Sequence, residues 1–125
     1  MLFFVVGLSW SAAANSQRLN AIMHYVVTAR FVSDTAAEFH RLLTDGTVAS
    51  QKPDGKEILS SMKRARIDEM GVVRWSEVCY CPTPLEHERA TVYDRFFDDI
   101  TTEEVEGYVE FEGEDFMEFL SRSTE

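Results

Sequence analysis

Apolar and polar positions trade places with a period of two from His24 to Val32. Tyr25, Val27, Ala29 and Phe31 make one apolar face, and His24, Val26, Thr28, Arg30 and Val32 make a mixed one. That is the signature of a first strand. The period then changes. Ala36, Ala37, Phe39, His40, Leu42 and Leu43 recur at helical intervals, and Thr35 with Glu38 has capping-box spacing ahead of a stop at Asp45-Gly46. Lys52-Pro53-Asp54-Gly55 reads as a turn within a loop. Residues 58–67 read as a second strand crowded by Lys63, Arg64 and Arg66, and a turn over Asp68–Gly71 joins it to a stronger third strand, Val72–Cys81.

Thr83-Pro84-Leu85-Glu86 predicts a second helix: a capping Thr, a Pro at the first helical position and a Glu that can return to the cap. Leu85, Val92, Tyr93, Phe96, Phe97 and Ile100 continue its apolar stripe. Val105, Gly107, Val109 and Phe111 alternate with Glu104, Glu106, Tyr108 and Glu110, which predicts a fourth strand with one wet face. Phe116, Met117, Phe119 and Leu120 predict a short terminal helix. The order β-α-β-β-α-β gives a ferredoxin-like α+β fold, a four-stranded antiparallel sheet with two helices on one face, plus the C-terminal helix.

The 125 residues, 45% hydrophobic, suit one domain with one core. The net charge of −10 opposes the electrostatic attraction that holds proteins to nucleic acid or anionic lipid, so neither is expected as a partner. The charge is lopsided: residues 77–125 hold 15 Asp+Glu against 3 Lys+Arg. Such a block reads first as a solvated surface and second as a face for a basic partner.

Residues 1–22 form an N-terminal extension to a domain spanning 23–125. The run Met1–Leu8 followed by Ala12-Ala13-Ala14 has some marks of a secretory signal, but no basic residue precedes it. It is too short to cross a bilayer as a helix. The reading is a cytoplasmic protein, or a secreted one if residues 1–14 act as a signal, with Met23 as a candidate start.

Cys79 and Cys81, at i and i+2 on a strand, are poorly spaced for a direct disulfide. As metal ligands they need further donors, and the chain has no second Cys pair and no helical His pair. No metal and no cofactor are therefore expected. Nucleotide-binding, zinc-protease and serine-hydrolase motifs are missing. His40 reads as a half-buried packing residue and His87 as an exposed one.

In element order, length and the two-sided first strand, residues 23–121 resemble the dimeric α+β barrel superfamily, which includes antibiotic-biosynthesis monooxygenases and YCII-like proteins. The resemblance implies a homodimer whose two sheets enclose a cavity, and it carries over no catalytic residue. Strand alternation places Thr28 and Arg30 on the sheet face away from the helices, with Arg74, Ser76 and Tyr80 joining them if Trp75 and Glu77 face the helices. The opposite facing of the third strand puts Trp75 and Glu77 in the cavity instead.

With the first facing, the candidate ligand-binding residues are Thr28, Arg30, Arg74, Ser76 and Tyr80. His24 and Glu77 are the candidate proton acceptors, in a pocket suited to a small anionic or polyphenolic molecule. Cofactor-independent oxygenation or isomerisation is the enzymatic reading. The alternative is a non-catalytic structural or assembly module whose arginines pair with carboxylates and whose sheet face serves only dimerisation.

Overall fold

The computed structural model describes residues 22–124, and the predicted N-terminal extension lies outside them apart from Ile22. The chain is α+β. Strand β1, Met23–Phe31, is followed by a short 3₁₀ turn and helix α1, Ala36–Thr44, then helix α2, Gly55–Arg64. Strands β2, Arg66–Ile67, and β3, Val72–Cys79, come next. Helix α3 spans 86–96 and contains a π-helical turn at Arg89–Tyr93. Strand β4, Phe97–Val105, strand β5, Glu114–Asp115, and helix α4, Phe116–Ser123, complete the chain. The five strands pair antiparallel in the order β4-β1-β3-β2-β5. Among the described residues no helix is long and apolar enough to cross a membrane.

The register explains where the core lies. Tyr25 pairs with Glu77, Val27 with Trp75 and Ala29 with Val73, and all six are buried. They share the face on which the helices pack. Onto it α1 brings Phe39, Leu42 and Leu43, α2 brings Ile58 and Met62, α3 brings Val92, Tyr93 and Phe96, and α4 brings Phe116 and Leu120. Phe39 and Phe96 stack with centroids 4.2 Å apart, and Phe31 packs edge-on against Phe97 and Phe116. Offset and edge-on aromatic pairs of this kind add to simple area burial.

Three sequence expectations need correction. Residues 55–64 form a helix where a strand was expected from 58. Ile58 and Met62 stand one helical turn apart and point into the core, and Lys63 and Arg64 occupy the last turn, where cations complement the helix dipole. Only Arg66 and Ile67 remain extended. The start of α2 depends on Gly55, because a Cβ there would lie 2.0 Å from the Val48 carbonyl oxygen.

The capping box at Thr83 does not form: Glu86 N–H donates to the Thr83 carbonyl, buried Leu85 takes a left-handed conformation, and α3 begins only at Glu86. Its stripe stops at Phe96. The β-branched run Ile100-Thr101-Thr102, with Val105, prefers an extended backbone and becomes β4.

The fourth strand therefore lies at 97–105 rather than 105–111. Residues 106–113, which alternate like a strand, form a crossing segment instead. They connect β4 at one edge of the sheet to β5 at the other. The sheet thus has five strands, and two helices, α1 and α2, separate β1 from β2.

Candidate functional site

The sheet face opposite the helices carries His24, Val26, Thr28 and Arg30 from β1. Their register partners Val78, Ser76, Arg74 and Val72 come from β3. Trp75 and Glu77 face the helices, so the strand facing that sends Arg74 and Ser76 to the open side is the one observed.

The two arginines are paired within the chain. Arg30 Nε lies 3.6 Å from Asp99 Oδ2, and Arg74 Nη1 lies 3.2 Å from Asp68 Oδ2. Asp68 also accepts from the backbone N–H groups of Val72 and Met70 in the β2–β3 turn. Those bonds, the Val72 one foremost, hold its carboxyl below the ordinary value.

Part of this face is roofed by the chain itself. Ser76 is fully buried: its hydroxyl donates to the Val109 carbonyl at 3.1 Å and accepts from the Val109 N–H at 2.9 Å. Tyr108 meets His24 edge-on at 5.1 Å. The crossing segment also lies over the edge of β3 left free where β2 is short. There α2 supplies side chains in place of a strand: Arg64 donates to the Ser76 carbonyl and Glu57 accepts from the Val78 N–H. Arg64 and Glu57 pair at 3.2 Å, and the Tyr108 ring lies under the Arg64 guanidinium.

Tyr80 lies beyond the end of β3 and is exposed. It joins His24, Ile22, Lys56 and Tyr108 around a groove of about 450 Å³. The predicted residues thus divide three ways. Thr28, Arg30 and Arg74 share the uncovered part of the sheet, Ser76 is sealed, and His24 and Tyr80 meet at the groove.

Glu77 belongs to none of these. It is fully buried under the helices, where Tyr93 Oη donates to its Oε1 at 2.6 Å and Trp75 Nε1 donates to the same oxygen at 2.8 Å. Its Oε2 has no hydrogen-bond partner among the described residues. Burial raises its pKa well above the ordinary value despite those two bonds, which pull the other way.

A further cluster brings together residues that are distant along the chain. Cys79 Sγ and Cys81 Sγ lie 3.9 and 3.7 Å from Glu88 Oε1. Cys79 and Glu88 are buried and Cys81 partly so. The Glu88 carboxyl lies against that of Asp54, and Asp54 Oδ2 is 2.9 Å from His87 Nδ1. Burial pushes the Cys79 thiol up to about 12, and burial followed by the Asp54 charge raises Glu88. The sequence signal was the spacing Cys79, Cys81 and Glu88, which a search restricted to Cys and His pairs passes over.

No protein-family model, no curated protein and no solved structure matches this chain.

Proposed function

We propose that the protein is a non-catalytic assembly module that pairs with a second copy of itself through the open sheet face. The run β4-β1-β3-β2, with helices in both crossovers, supports reading the core as ferredoxin-like, with α2 and β5 as additions. The observation that carries the functional reading is the pairing of both arginines of that face. Arg30 and Arg74 engage Asp99 and Asp68 of their own chain, so they do not converge as free donors on a ligand.

The expected proton acceptor Glu77 is on the other side of the sheet, beneath helices, and has no route to a substrate on the open face. Val26 and Val72 remain only partly buried beside these pairs. Along β4, Asp98 stands opposite Arg30 and Glu103 opposite Val26, so acidic side chains of the same chain lie beside the arginines. With these charges paired inside the chain, Val26, Thr28 and Val72 are the part of the face that a two-fold-related second copy would cover.

Sedimentation velocity at micromolar concentration tests this. The account expects a dimer, and Val26→Asp, which places a charge mid-face without touching the core, is expected to give a folded monomer. A wild-type monomer, or a Val26→Asp dimer of unchanged strength, overturns it.

A further inference from the structure

We infer that Cys79, Cys81 and Glu88 form a binding site for a thiophilic divalent cation of the zinc class, with Asp54, which interacts with Glu88, as a candidate fourth donor. Three separate elements build it. Cys79 ends β3, Cys81 lies two residues beyond the strand, and Glu88 closes the first turn of α3. Asp54 comes from the loop ahead of α2. The donor atoms of Cys79, Cys81 and Glu88 all lie within 4.8 Å of one another.

A tetrahedral zinc ion with sulfur at about 2.3 Å and carboxylate oxygen at about 2.0–2.2 Å requires donor separations of roughly 3.5–3.8 Å. The observed sulfur–oxygen distances of 3.7 and 3.9 Å need only a small contraction to meet it.

The chemistry of the set agrees with its geometry. Two thiols and the Glu88 carboxyl meet in a buried or half-buried place with Asp54 beside Glu88, and no Lys or Arg side chain forms an ion pair with Glu88 or Asp54 among the described residues. A surface salt-bridge network has a different make-up, with each acid facing a guanidinium, as Asp68 and Glu57 do here. Thiolates select soft or borderline cations, which favours zinc over magnesium or calcium.

His87 supplies the kind of outer contact that orients a metal-ligating carboxylate, because its ring holds Asp54 at 2.9 Å. Cys81 N–H donates to Cys79 Sγ at 3.2 Å, a contact that a thiolate accepts better than a thiol. Binding releases the two thiol protons to solvent and forms two metal–sulfur bonds, with no oxidant or reductant involved.

The site lies on the helix side of the sheet, apart from the proposed dimer face, so its success or failure is read independently of the assembly state. The test is titration of the full-length, reduced protein with Co²⁺ under anaerobic conditions, followed by competition with Zn²⁺. The expected result is one equivalent bound, thiolate-to-cobalt charge-transfer absorption, tetrahedral visible bands, and displacement by Zn²⁺.

Cys81→Ser is partly exposed and should keep its fold by circular dichroism. It is expected to weaken the ion at least tenfold and reduce the charge-transfer band, and Glu88→Gln to weaken it while keeping both thiolate bonds. Absence of a thiolate band in the reduced wild-type protein overturns the proposal. So does equal affinity in wild type and Cys81→Ser, which marks an adventitious surface ion, or ready closure of a Cys79–Cys81 disulfide with no metal uptake by the reduced form.

Discussion

The two faces of the sheet solve the same problem in different ways. Under the helices, Trp75, Tyr93, Phe39, Phe96 and Phe116 are fully buried, and the acid among them, Glu77, is held by Tyr93 and Trp75 hydrogen bonds. On the opposite face, charges are paired with charges at partial exposure, and a segment of the chain covers only part of the surface. Aromatic packing excludes water and fixes one arrangement. Half-exposed ion pairs contribute little stability and leave the face able to meet another surface. The difference teaches which half holds the fold and which half is available for interaction.

The comparison breaks most visibly on the helix side. Phe96→Ala removes a ring stacked on Phe39 in the centre of the core and is expected to cost about 3–5 kcal/mol by chemical denaturation. A loss under 1 kcal/mol would show that α3 packs elsewhere. Tyr93→Phe keeps the ring but withdraws the hydroxyl from Glu77, leaving the buried carboxyl with the Trp75 bond on Oε1. Its expected cost is about 1–3 kcal/mol by the same measurement, and a neutral result would show that this bond does not hold the acid.

Asp68→Asn on the open side should have the smallest effect, because the carboxyl is exposed. Its folded pKa lies below the ordinary value of 3.8, so the unfolded chain binds more protons in that window. The stability that Asp68 contributes is present above its unfolded pKa and lost as pH falls through its folded one. Melting curves of wild type and variant should therefore differ slightly at neutral pH and converge on acidification. A gap that widens as pH falls would contradict the bonding described for this turn.

Much of the helix side was legible from periodicity. The β1 alternation and the α1 stripe are present in the sequence as they are in the fold, because each buries a single continuous face. Residues 55–64 were not legible as a helix. Their only strong apolar positions are Ile58, Leu59 and Met62, and basic residues that satisfy a helix C-terminus resemble the wet face of a strand. The boundary at Phe96 and Phe97 was hidden for a related reason: two adjacent phenylalanines serve the end of a helix stripe and the start of a strand equally well.

The alternation at 105–111 misled because a segment crossing a sheet also turns one set of residues toward protein: Val105, Gly107 and Phe111 are partly buried while Glu104, Glu106 and Glu110 are exposed, and the Val109 backbone bonds Ser76. Among the candidate site residues, alternation gave the facing of Thr28 and Arg30. The covering of Ser76 and the pairing of Arg74 with Asp68 depend on long-range chain paths that no local pattern encodes.

The account rests on a second copy covering Val26, Thr28 and Val72. Isotope-filtered NMR on an equimolar mixture of labelled and unlabelled chains reads that contact directly. Intermolecular NOEs from the methyl groups of those three residues are the predicted result. Intermolecular NOEs confined to α1 and α4, or none at all at concentrations where the chain is folded, would contradict it.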